Sequence, residues 1–363
     1  MRKYQSGFSM VELLVGTVIS LLVTITVAGS AQFLDTQKRI TVGTNGVLET
    51  LAISYREVSN DIKMAGYGVS KCQHIYYKLG SVATVDVTQP LIIKATNTNS
   101  DELVSFYGES TTGSAYSFLS NSTVGDTFST TYAGQLNKGL AGSVSDGSLV
   151  IIKQPKDSTG VSPACGIFAL DTISIASGVT SVSLGKTISG NVWGTDSSIT
   201  YPINSMAFGL SSIKAVTTKI VSNTLQEVDS FRPTITNQIA DNIVFFKAYY
   251  GLEDGTFVKA EGTWEASSLT VATTKQIRSI RVFLVARAPV LNKKNAAGNC
   301  DATDDDHKVI SSWLGYDSDG TLNSDNDGPT FDVSTITDGQ CYKYMKSDFI
   351  VPLRNKVLSD LNI

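Results

Sequence analysis

The sequence predicts an α+β chain: a long N-terminal helix, transmembrane over its first half, packed on a β-rich globular domain. Three observations predict it. Residues 13–34 form an uncharged, mostly apolar run of 22 residues. As a helix that run would be ~33 Å long, enough to cross a ~30 Å hydrocarbon core. Behind it Leu48, Leu51, Tyr55, Val58, Ile62 and Ala65 recur at alternating threes and fours, which puts one apolar stripe on a helix. From residue 68 onward the pattern changes to short β-like runs between turn-forming stretches.

Composition agrees. The chain has 363 residues, 42% hydrophobic and only 17% charged, with Ser, Thr, Asn and Gly filling the gap. That mixture suits a β-rich exterior with many turns. Net charge is −4, so no basic field exists to hold a polyanion, which argues against nucleic acid as a partner.

The first element is a short leader, residues 1–7, carrying Arg2 and Lys3. The membrane helix follows over residues 8–34. Glu12 is its one acid, and no charge follows until Asp35. A carboxylate at the edge of such a segment is expensive and marks a functional position by default. Its plainer role is to start the helix at the headgroups. Small residues within 28–33 also offer a weak secretory cleavage site, the ordinary alternative for an N-terminal apolar run. Arg2 and Lys3 favour a cytoplasmic N-terminus, but Lys38 and Arg39 flank the other end, so charge alone does not orient the span.

The second half of the helix, residues 35–66, is amphipathic, with Glu49, Arg56, Glu57, Asp61 and Lys63 largely off the stripe. Gly43 and Gly46 are expected to weaken or kink it. Gly66 and Gly68 are expected to end it in a left-handed cap. The ectodomain, residues 67–363, then reads as one unit without repeats. Its strand-like runs are ATVDV, PLIIKA, ELVSFYG, SLVIIKQ, GIFALDTISIA, KAVTTKIVS, NIVFFKAYYG, IRSIRVFLVARA and SDFIVPLRN. Residues 121–147 and 185–198 read as turn-rich, and GLEDGTF (251–257) as a hairpin turn on Asp254-Gly255.

Gly7-Phe8-Ser9-Met10-Val11-Glu12 resembles the site that type IV prepilin peptidases process. The resemblance implies cleavage after Gly7 and N-methylation of Phe8, and it makes Glu12 the fifth mature residue. Glu12 then lies one turn from the new positive amine. It can pair with that amine, or with a neighbouring subunit's amine in a filament, because a buried charge is tolerable when paired. DIKMAGYGVSKC (61–72), NIVFFKAYYGLEDG (242–255) with IRSIRVFLVARAPV (277–290), and SDFIVPLRNKV (347–357) are similar to the helix end, paired late strands and C-terminal strand of PilW-type minor pilins. The region from about 97 to 236 matches only loosely, and residues 292–341 stand out as an acidic insertion.

That resemblance implies a pilin-like ectodomain in the periplasm on a single inner-membrane span, later carried to the pilus and cell surface. It implies a minor pilin that primes pilus assembly at or near the tip. Its partners would be other minor pilins, the major pilin, the assembly platform, a large tip adhesin and prepilin peptidase. A J-type pseudopilin of a type II secretion system shares the N-terminus, and a ligand-binding adhesin is a further alternative.

Four cysteines, Cys72, Cys165, Cys300 and Cys341, show no C-x-x-C and fit disulfides in an oxidising compartment or, more blandly, buried thiols. The expected pairs are Cys72 with Cys165 and Cys300 with Cys341, although four cysteines allow three pairings. A bridge around the insertion would close a loop of ~40 residues, a stabilisation of ~4 kcal/mol in the chain-entropy model. Inside it, residues 323–328 fit the first half of a calcium loop through Asn323, Asp325 and Asp327. Ser334 stands where an EF-hand needs glutamate, so Asp317, Asp319 or Asp332 would have to complete an irregular site. A solvated acidic turn is the plainer reading. No cofactor is otherwise expected. There is no G-x-S-x-G, H-E-x-x-H or P-loop, so no enzyme is expected either. His74 and His307 read as bystanders.

Overall fold

A computed structural model describes residues 9–67, 72–79, 85–87, 89–96, 98–109, 116–122, 127–130, 149–158, 162–176, 179–184, 187–188, 191–194, 199–210, 212–229, 232–289, 300, 302–303, 306–314 and 327–354. The architecture is α+β: one long N-terminal helix and a β-rich domain. The helix runs unbroken over Met10–Met64, 55 residues, or about 83 Å. Gly43 and Gly46 do not break it. They sit where the end of a strand crosses closely, an added Cβ lying 3.6 Å from Ala288 Cβ and 3.9 Å from Pro289 Cγ respectively.

Its end is tied down by backbone. Gly66 takes φ +80°, the left-handed conformation that glycine adopts without penalty. There its N–H donates to Phe106 O at 2.9 Å, and Gly108 N–H donates to Tyr67 O at 2.9 Å. The chain thus leaves the helix already stitched to the strand Asp101–Glu109. Gly68 lies outside the described residues.

Three larger sheets and a two-stranded ribbon follow among the described residues. The five-stranded sheet is ordered Arg232–Asp241, Thr224–Asp229, Ser212–Val221, Asp101–Glu109, Leu91–Ala95, all antiparallel. The four-stranded sheet is ordered Phe257–Val258, Ile243–Leu252, Ile277–Arg287, Tyr344–Pro352. Its Gly251–Phe257 connection is the expected turn, with Gly255 at φ +88° and Asp254 accepting from Thr256 N–H at 2.9 Å. The ten-stranded sheet includes one parallel pairing, Cys72–Leu79 beside Ser162–Ala176.

The helix packs on the five- and four-stranded sheets together. Val47, Leu51, Val58, Ile62 and Ala65 meet Ile93, Leu103 and Leu225 of the first sheet and Phe246, Val282 and Leu284 of the second. The predicted stripe is therefore rotated. Leu48 and Tyr55 remain 48% and 45% exposed, whereas Val47, Ser54 and Asp61 are buried. Tyr55 stays at the rim, its ring edge-on to Phe349 at 4.7 Å.

The stretches expected to be turn-rich contain short strands, Thr127–Thr130, Thr187–Ile188 and Asn191–Gly194. Their polar and glycine content conceals them, because they gain most of their stability from pairing. The insertion is used in packing. Phe331 and Val333, with Ile310 and Trp313, cover Val244, Phe245, Phe283 and Val285 on the sheet face turned away from the helix.

Candidate functional site

The N-terminal end of the helix is built by a capping box. Ser9 is extended at φ −67°, ψ 142°, and its side chain accepts from Val11 N–H at 3.3 Å. Glu12 reaches back, and its Oε2 accepts from Ser9 N–H at 3.1 Å. Two otherwise orphaned donors of the first turn are thereby satisfied. Glu12 is exposed. The helix-start role is therefore present in the isolated chain, and the same bond holds the carboxylate beside the residue that follows Phe8. Gly7 and Phe8 lie outside the described residues.

Beyond this cap every described apolar side chain up to Leu34 is exposed. Met10–Met64 is a helix long and apolar enough to cross a membrane. Thr17, Thr24, Thr26 and Ser30 donate their hydroxyls to carbonyls one turn back, at 2.6 to 2.9 Å. Hydroxyls satisfied this way cost little in an apolar medium. Just past the run, Arg39 pairs with Asp35 at 3.0 Å.

Of the cysteines, Cys300 and Cys341 are bridged, with Cα atoms 4.7 Å apart at a sequence separation of 41. The bridge ties the start of the covering insertion to its end. Cys165 is fully buried and disulfide-bonded. The side chains of Cys72 and His74 lie outside the described residues. So do Asp317, Asp319, Asn323 and Asp325, the bulk of the conjectured calcium loop. Asp327 is half-buried, and the Asp332 carboxylate accepts from Ser334 N–H at 2.9 Å, capping a short turn. His307 is exposed. Among the described residues no group of three His, Cys, Asp or Glu side chains could hold a metal ion.

The sequence reading missed a buried acid. Asp61, placed off the stripe, is only 7% exposed beneath the five-stranded sheet. Tyr107 donates to its Oδ1 at 3.2 Å and Thr218 to its Oδ2 at 3.4 Å. Glu227, paired directly with Thr218 across the strand boundary, brings a second carboxyl group next to it. Burial, then the charge of Glu227, pushes Asp61 up to about 7, against the opposing pull of the Tyr107 bond. A signal was there to read: Ser54, Val58, Asp61 and Ala65 follow the same four-three-four phase.

No protein-family model matches the chain, and no curated protein matches it. Among solved structures it is similar to a type IV-like pilin from Thermus thermophilus. Identity is 10% and the TM-score 0.34, over 85% of this chain and 96% of that one.

Proposed function

We propose that this chain is a PilW-type minor type IV pilin that primes pilus assembly and sits at or near the pilus tip. The observation that carries the reading is the N-terminal arrangement. A Gly7-Phe8 processing motif is followed by Glu12 held at the first helical turn, and then by an apolar helix whose first half buries nothing. Its second half is docked on two sheets. In this reading prepilin peptidase cuts after Gly7 and Phe8 is methylated. Glu12 exchanges its bond to Ser9 N–H for a mature N-terminal amine as the helix leaves lipid for the filament.

The chain then has no catalytic role of its own. It is held in the inner membrane with its ectodomain periplasmic until it assembles. Its partners are other minor pilins, the major pilin, the assembly platform and a large tip adhesin. Deleting the gene tests the role. Loss of surface pili supports priming. Piliated cells that fail to attach would make it an adhesin, and lost secretion with normal pili would make it a J-type pseudopilin.

A further inference from the structure

The helix-facing side of the five-stranded sheet carries a polar row that no part of the assembly reading uses. Thr218 is paired directly with Glu227 across one strand boundary, and Glu227 with Asn237 across the next. Residues directly opposite in a ladder present their side chains on the same face. Asp61 descends onto this row from the helix one turn before its end. It accepts from Thr218 at 3.4 Å, and from Tyr107 on the neighbouring strand at 3.2 Å. Asn237 donates to Glu227 Oε2 at 3.4 Å. Thr218 thus sets the Asp61 carboxyl beside that of Glu227, and two neighbouring carboxyls can share a hydrogen bond only with a proton on one of them.

We propose that Asp61 and Glu227 form a proton-operated latch between the end of the long helix and the five-stranded sheet, closed while they share one proton and loosened when both are ionised. The groups that face Asp61 support this assignment. Glu57 on its own helix and Glu227 on the strand Thr224–Asp229 both bear negative charge on it, and Tyr107 comes from the strand Asp101–Glu109. Thr218 and Asn237, from the two remaining strands of the row, do not titrate. Arg56 lies 2.7 Å from Glu57, while among the described residues the side-chain donors to the Asp61 carboxylate are the neutral hydroxyls of Tyr107 and Thr218.

With its titration pushed up to about 7 from an ordinary 3.8, Asp61 holds a proton in the docked state that it gives up when undocked. The docked state therefore binds more protons across that window and weakens as pH rises through it. The local opening constant then grows by up to about tenfold per pH unit until the docked carboxyl itself ionises. The latch is independent of the proposed pilin role. It needs only the helix, the sheet and a changing proton concentration.

Hydrogen exchange of the full-length protein in detergent micelles tests it, read at the amides of residues 51–65 and divided by the intrinsic exchange rate. The wild-type chain is expected to show opening that rises steadily from pH 5 to 7 and levels off above. Asp61→Asn keeps the bonds to its neighbours without a proton to lose, and should flatten the profile. Glu227→Gln should move the rise to lower pH. A flat wild-type profile would overturn the proposal, as would an Asp61→Asn profile that still follows the wild type. Should Asp61→Asn not fold, an unmoved Glu227→Gln midpoint overturns it equally.

Discussion

Asp101 joins the two sheets that carry the helix. Its Oδ1 lies 2.7 Å from Lys247 Nζ, and its Oδ2 accepts Ala248 N–H at 3.1 Å. The same seam is closed by Tyr250, whose hydroxyl accepts Ile93 N–H at 2.7 Å. Burial raises the Asp101 carboxyl despite the attraction of Lys247, so the pair does not fully offset the cost of leaving water.

That imbalance predicts non-additive mutants. Asp101→Ala takes the carboxylate away from the largely covered Lys247 and from Ala248 N–H, and should cost ~3–5 kcal/mol. Replacing both partners with apolar residues of similar size should cost less than either single change. A double-mutant cycle from urea midpoints measures the difference.

The rotated helix stripe makes a second contrast. Ile62 is fully buried between helix and sheets, while Leu48 is 48% exposed. Ile62→Ala should destabilise by ~2–5 kcal/mol, and Leu48→Ala by under ~0.5 kcal/mol. Equal losses in chemical denaturation would place the docking face elsewhere.

Opening the insertion is a third test. Trp313 packs edge-on to Tyr249 at 5.0 Å and under the Arg281 guanidinium at 3.9 Å, and Arg281 is held by Asp348 through two bonds of 2.9 and 2.7 Å. Cys341→Ser removes the bridge that fastens this cover, a loss of ~4 kcal/mol in the chain-entropy model. Tryptophan emission should shift to the red, and the shift should vanish in a Trp313→Phe background.

The capping role of Glu12 is separable from the docking role proposed for it. Ser9→Ala removes the side-chain cap and leaves the carboxylate. It should cost about 1 kcal/mol of helix stability and leave incorporation into filaments intact. Glu12→Ala should abolish incorporation while the ectodomain folds normally. Immunoblots of sheared filaments against whole-cell levels distinguish the two, and equal incorporation by both variants would remove the docking role.

Much of this architecture was legible because it follows strong periodicity. The apolar run, the helix behind it and the strands rich in Val, Ile and Phe, such as Ile243–Leu252 and Ile277–Arg287, all carry patterns that survive without tertiary context. Thr224–Asp229 and Arg232–Asp241 are not legible because they are polar strands, specified by pairing, the first with Ser212–Val221 and the second with the first, and by packing under the helix. The predicted stripe holds at Leu51, Val58, Ile62 and Ala65 and misses at Leu48 and Tyr55, which are apolar yet lie on the rim. Asp61 was overlooked because a charged residue in core phase is discounted by rule, and only its partners Tyr107, Thr218 and Glu227 explain it. The Cys300–Cys341 bridge matches the expected pairing. What sequence did not reveal is that its loop covers the far face of the four-stranded sheet.

Mass spectrometry of the chain recovered from sheared surface filaments tests the central claim most directly. The account predicts a mature N-terminus at methylated Phe8. A chain that still begins at Met1, one cut near Ala31, or filaments that lack the protein altogether would contradict it.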